Sequence, residues 1–246
     1  MKNEDFEALD WQGNALDCAL CPQRHLLASG HCAPKKACVC DRYARRIDRF
    51  FSNNRALAKE FLTHPYFEVR AVAAKYVEVF YLPRLLDDPD ETVRWSVAQR
   101  LPQRLLMQLR HDPDREVRIQ VAARLEVWHL HSMMDDADYY VRTVVARRIG
   151  QDWLPRLMRD PEREVRIEVA RRIGSGLLPS MASDRDPAVR KVVVQRLAPA
   201  QLAIFRQDED CQVRHAVAER IDYAQLGPLL ADEDEAVREA AQARQQ

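Results

Sequence analysis

The sequence predicts an all-α solenoid of 24-residue repeats, one α-helix alternating with one short helix, behind a small cysteine-rich head. Three observations predict it. A Val-Arg pair recurs at 69–70, 93–94, 117–118, 141–142, 165–166, 189–190, 213–214 and 237–238, always 24 residues apart. Apolar residues inside each copy fall at helical spacing. Five of the six cysteines crowd into residues 18–40.

A fixed period over eight copies marks a solenoid. The period alone lies in the range of leucine-rich repeats, which carry a strand in every unit. The interior pattern disagrees. With the Val as position zero, apolar residues recur at 0, 4, 8, 13 and 16, as in Val165, Val169, Ile173, Leu178 and Met181. Those steps are helical, and no strand-like alternation accompanies them. Asp88, Asp112, Asp136, Asp160, Asp184, Asp208 and Asp232 each stand five residues before a Val and read as helix caps. Pro89, Pro113 and Pro161 then fall at the first helical position. On this reading each helix runs about 13 residues, roughly 20 Å. The remainder, as in "YLPRLLDD" (81–88) or "DWLPRLMRD" (152–160), holds a turn and a short helix of 3-10 type. It is too short for the second helix of HEAT or armadillo units of around 40 residues. One unit buries too little apolar surface to offset its ordering entropy, so the copies must stack.

Arginine fills position 1 in all eight units, from Arg70 to Arg238, and position 7 in seven: Arg100, Arg124, Arg148, Arg172, Arg196, Arg220 and Arg244. Such columns are able to bind a polyanion. The favoured reading is structural. Each position-1 arginine from Arg94 on follows an acid by four residues, from Asp90–Arg94 to Asp234–Arg238, a favourable helical pairing. Both columns flank the apolar stripe, where their stems cover neighbouring units. The array shows no nucleophile elbow and no glycine-rich phosphate loop. His111, His129, His131 and His215 lack ligand spacing, and Cys211 reads as a simple thiol. The expectation is a protein that is not an enzyme.

Of the 246 residues 47% are apolar, enough for one large domain or two small ones. The 38 basic and 38 acidic side chains cancel, so no global field draws the chain to nucleic acid or membrane. The acidic start lacks a signal peptide's apolar stretch, and no run of 18 apolar residues occurs. The expectation is a soluble cytoplasmic protein without a membrane partner. A cytosolic chain keeps thiols reduced, so the cysteine cluster points to a metal before disulfides.

The head reads "CALCPQRHLLASGHCAPKKACVC" over residues 18–40, with spacing Cys-x2-Cys-x10-Cys-x5-Cys-x-Cys. The first pair is a chelating turn that suits zinc or two corners of an iron–sulfur cluster. A zinc ribbon offers a second Cys-x2-Cys, and this head does not. Spacing alone leaves iron–sulfur ahead of zinc, with disulfides behind both.

The 24-residue Val-Arg units with their Asp, behind this head and "RRIDRFF" (45–51), resemble the leucine-rich repeat variant proteins over nearly the whole chain. The resemblance implies an α-helix alternating with a 3-10 helix, wound into a right-handed superhelix. It implies an N-terminal module, residues 1–50, holding a [4Fe-4S] cluster on Cys18, Cys21, Cys32 and Cys38, followed by a repeat solenoid over 51–246. Cys40 departs from the family motif as a fifth thiol and is the alternative to Cys38 as ligand. Ile47, Phe50, Phe51, Leu57, Phe61 and Leu62 are expected to seat the head on the first unit, where His64 and Tyr66 replace the acids. The polar end "EAAQARQQ" (239–246) suits a solvated terminus.

The leading functional expectation is a non-enzymatic scaffold. Its repeats would bind a protein partner, and its cluster would fold the head and sense redox state or oxygen. The alternatives are an electron-transfer protein docking a redox partner, a redox-responsive nucleic-acid binder, and a zinc-capped scaffold.

Overall fold

The structure, a computed structural model, describes residues 7–245. Residues 1–6 of the head and Gln246 lie outside the described residues. No β-strand occurs among the described residues. Two isolated bridges, Leu9 with Ala15 and Ala33 with Ala37, are the only extended pairings, and both lie in the head.

The chain divides into two compact units, Met1–Leu125 and Glu126–Gln246. In the first, α1 (His25–Ala28) is a single turn in the head, and α2 (Ala44–Asn53) carries the chain toward the repeats. There follow α3 (Phe67–Tyr76), α4 (Glu91–Ala98), the short α5 (Gln103–Leu106) and α6 (Arg115–Arg124). Segments of 3-10 helix over Arg55–Phe61, Val79–Leu85 and Met107–His111 connect them. In this unit α2 packs on α3, α3 on α4 and α4 on α6.

The second unit holds α7 (Tyr139–Arg148), α8 (Arg163–Arg172), α9 (Pro187–Arg196), α10 (Cys211–Ala218) and α11 (Glu235–Ala243), each packed on the next. Segments of 3-10 helix lie between them, such as Gln151–Leu157 and Pro199–Phe205. The expected alternation of α-helix with short helix therefore holds in each unit. Val165, Val169, Ile173, Leu178 and Met181, which defined the apolar pattern, are all buried.

The helix starts differ from the sequence reading. Helices run eight to ten residues, not about 13, and open two residues later than expected. The cap is the acid three residues before the Val. Asp90, Asp114, Asp138, Asp186, Asp210 and Asp234 accept amide hydrogens of the first turn, as in Thr92 N to Asp90 Oδ1 at 2.9 Å. Pro89, Pro113 and Pro161 accordingly lie before the helices, while Pro187 does open one.

The Asp expected as cap has another task. In the first unit Asp88 receives both prongs of Arg70 from the preceding repeat, Nε and Nη2 each 2.8 Å from a carboxylate oxygen. Arg94 does the same to Asp112. In the second unit Arg142–Asp160, Arg166–Asp184, Arg190–Asp208 and Arg214–Asp232 repeat the contact. The expected pairing of each arginine with the acid four residues earlier is thus replaced by a pairing 18 residues forward. The reason is geometric. The earlier acid turns its carboxylate to the helix amides, while the guanidinium points across the stack. Its remaining Nη1 binds the start of its own repeat, as in Arg94 Nη1 to the Asp88 carbonyl at 2.7 Å.

Position-7 arginines reach the opposite way. Arg100 Nη1 donates to the carbonyls of Ala74 and Val77 in the preceding repeat, at 2.7 and 2.6 Å. Arg172, Arg196, Arg220 and Arg244 bind the corresponding carbonyls in the second unit. These carbonyls end a helix and have no intrahelical donor. The structural reading of both columns is therefore correct, through different partners.

The first repeat departs from the rule for a physical reason. His64 stands where later repeats have the buried Asp, and its Nδ1 accepts the Tyr66 amide hydrogen at 3.1 Å, as Asp88 Oδ1 accepts that of Asp90 at 3.0 Å. Burial holds the imidazole below its ordinary pKa, which keeps that nitrogen an acceptor. The head seats here through Phe50, Phe51 and Phe61, which meet edge to face. Ile47, Phe50, Phe51 and Leu62 are buried, and Leu57 and Phe61 are half-buried. Trp11 stacks on Tyr66 at 6.0 Å, and Asn54 Nδ2 donates to the His31 carbonyl at 2.9 Å.

Candidate metal centre

The head has little regular structure, so tight turns place its thiols. Cys18 and Cys21 flank one turn, and α1 follows. Gly30 ends that helix with φ +73°, a conformation glycine adopts without steric cost. The His31 and Cys32 amides then both donate to the Leu26 carbonyl, which fixes Cys32 beneath the helix. Ala33 and Ala37 exchange two backbone hydrogen bonds across a turn whose Lys35 has φ 61°, and this turn presents Cys38. The Cys38 amide donates to the Arg46 carbonyl of α2 at 3.1 Å.

One feature below the thiols escaped the sequence reading. Arg46 and Asp41 form an ion pair at 2.8 Å, with both side chains essentially sealed from solvent. Asp41 Oδ1 also accepts the Tyr43 amide hydrogen at 3.0 Å, and the guanidinium lies 4.9 Å from the Tyr43 ring centre. The pair grips the segment that carries Cys38 and Cys40. A signal existed: Arg46 is the third residue of α2, the place every repeat helix gives to its buried Val.

Cys18, Cys21, Cys32, Cys38 and Cys40 all line one cavity of about 280 Å³, with Leu16, Leu20 and Leu27. Cys32 and Cys38 are buried, and the other three are half-buried. The structure thus brings together all four expected ligands and the alternative. Cys21 Sγ lies 3.9 Å from Cys40 Sγ.

The thiols perturb one another. Burial first, then neighbouring sulfurs, pushes Cys32 up to about 12 and raises Cys18. The hydrogen bond from the Cys40 thiol draws Cys38 down to about 7. The same bond, with burial and the nearness of Cys21, raises Cys40. Ionising several thiols in this cavity is costly unless a cation compensates them. Yet among the described residues no three His, Cys, Asp or Glu side chains converge closely enough to hold one metal ion. Several thiols opening on one cavity are the donor set that a cysteine-ligated iron–sulfur cluster uses.

Elsewhere Cys211 is exposed at the start of α10, and His111 and His131 are exposed. No helix of the described residues is long and apolar enough to cross a membrane.

Residues 8–60 match the family model described as "LRV protein FeS4 cluster". A 99-residue stretch is 54% identical to the "Uncharacterized 27.7 kDa protein in nifB 3'region" of Rhodobacter capsulatus. That alignment covers 40% of this chain and spans only about two fifths, 40%, of the length of that curated relative. A solved structure, described as "a leucine-rich repeat variant with a novel repetitive protein structural motif", superposes with a TM-score of 0.90. It is 43% identical and covers 93% of this chain and 98% of its own. The chain belongs to the leucine-rich repeat variant family, an α/3-10 solenoid with that family's iron–sulfur module at its head.

Proposed function

We propose that the head binds a [4Fe-4S] cluster through Cys18, Cys21, Cys32 and Cys38, and that the repeats form a non-enzymatic scaffold for a protein partner. The observation that carries the cluster reading is the single cavity onto which all five thiols open. Its residues fit the group: four cysteine ligands suffice for a cubane. When bound, the cluster supplies positive charge to the thiolates and a one-electron redox centre. The chain's own residues do the rest. The turns at Gly30 and Lys35 aim the sulfurs, Asp41 and Arg46 hold the Cys38–Cys40 segment, and the half-buried Leu16 and Leu27 line the cavity with apolar surface. A half-exposed site of this kind is open to oxidants, which supports a redox- or oxygen-sensing role for the head.

Two features support a protein partner over nucleic acid. The two arginine columns are engaged inside each stack by carboxylates and backbone carbonyls, which draws them away from a phosphate backbone. Large apolar side chains stand exposed on the short helices instead, Phe80 in the first unit and Trp128 and Ile204 in the second.

The ligand set is tested by changing each of the five thiols to serine in turn and recording electron paramagnetic resonance spectra of the reduced, anaerobically purified protein. Loss of the cluster signal is expected for Cys18, Cys21, Cys32 and Cys38 and its retention for Cys40. Retention with Cys38→Ser and loss with Cys40→Ser would move the fourth ligand to Cys40.

A further inference from the structure

We infer that Cys21 and Cys40 are a disulfide-forming pair, a modification site that competes with the cluster for the Cys21 sulfur. The competition rests on the cluster reading above; the pairing itself does not. Five thiols line the cavity, one more than a cubane takes. Cys40 is the one in sulfur–sulfur contact with an expected ligand of a distant turn, 3.9 Å from Cys21. Bond formation needs the two to close by roughly 2 Å, within the travel of a cysteine rotamer, to reach the ordinary S–S length. Both are half-buried and open to small solutes through the cavity mouth, unlike the buried Cys32 and Cys38.

The other close partner of Cys40 is Cys38, one residue removed. A disulfide there closes a very small ring and forces the Cβ–S–S–Cβ torsion away from the right angle that an unstrained bond requires. Cys21 and Cys40 lie 19 residues apart on separate turns of the head and carry no such constraint. The Asp41–Arg46 pair anchors the residue after Cys40, so the sulfur is presented on fixed backbone.

Hydrogen peroxide is a sufficient oxidant. One thiol attacks it to form a sulfenic acid and release water, and the second thiol displaces a second water as the S–S bond forms. Each sulfur gives up one electron, the peroxide is reduced to two waters, and both thiol protons leave in them. A sulfur held in that bond cannot bind iron. The oxidised head therefore refuses a cluster until a dithiol reductant cleaves it.

The test uses the full chain, freed of metal by chelation under argon and treated with hydrogen peroxide. Free thiols are alkylated, the chain is digested without reductant, and the peptides are mapped by mass. The expected product joins Cys21 to Cys40, and ferrous iron with sulfide rebuilds a cluster only after dithiothreitol. Cys40→Ala should give at least tenfold less disulfide at Cys21 and need no dithiothreitol. An alkylatable Cys21 after peroxide, or Cys21 joined chiefly to Cys18, would overturn the inference. The wild-type map needs no variant to fold. Absence of iron and sulfide in anaerobically purified protein would instead count against the cluster reading and leave the map interpretable.

Discussion

Arg94 of one repeat and Asp112 of the next form a two-pronged ion pair, Nε to Oδ2 at 2.8 Å and Nη2 to Oδ1 at 2.9 Å, with little solvent access to either side chain. Breaking such a pair strands a buried charge. Arg94→Met is expected to lower the unfolding free energy by about 3 kcal/mol in urea titration. Replacing both partners by apolar residues should cost clearly less than the sum of the single changes. A loss under about 1 kcal/mol for Arg94→Met would show that the pair behaves as an exposed one.

The backward-reaching arginines make a separate prediction. Arg196 donates to the Ala170 and Ile173 carbonyls at 2.7 and 2.8 Å. Arg196→Met should cost about 2 kcal/mol, the usual range for hydrogen bonds from a charged donor. The exposed pair Arg163–Glu164 is the control. Arg163→Ala should leave the urea midpoint close to wild type, and equal losses at the two sites would contradict the distinction.

Acid should weaken the last repeats. At Asp232 burial works upward, but the Arg214 guanidinium and the Asp234 amide work downward harder and hold the carboxyl below its usual range. A depressed folded-state pKa contributes stability present above the unfolded value of 3.8 and lost as pH falls through the folded value. Unfolding measured between about pH 5 and pH 2 should therefore show stability falling with pH, and less steeply in Asp232→Asn. An unchanged slope in that variant would place the acid sensitivity elsewhere.

Arg46 and Asp41 are positioning residues for the head, because they act through the segment bearing Cys38 and Cys40. Arg46→Met is expected to reduce iron per chain several-fold in anaerobically purified protein while far-ultraviolet circular dichroism of the repeats stays near wild type. Arg46→Lys, which restores the charge, should recover part of it. Full iron content in Arg46→Met would remove the pair from the site.

Much of this was legible because repetition exposes position-specific demands. The Val column, the helical spacing and the cysteine spacing were all readable, and each has a local cause. The helix starts were misplaced by two residues because both candidate positions carry acids in nearly every repeat. Only the arrival of Arg70 at Asp88 or Arg94 at Asp112, 18 residues along the chain, separates cap from ion-pair partner. Arg46 takes the helix position that the repeats give to their buried Val, but only its buried partner Asp41, five residues earlier, makes an arginine acceptable there. The place of Cys40 beside Cys21 depends on turns at Gly30 and Lys35 that spacing does not encode.

The most direct measurement is iron, acid-labile sulfide and zinc analysis of the full chain purified without air. The expected result is about four irons and about four sulfides per chain with negligible zinc. About one zinc per chain without sulfide, or thiols with no metal at all, would contradict the reading of the head.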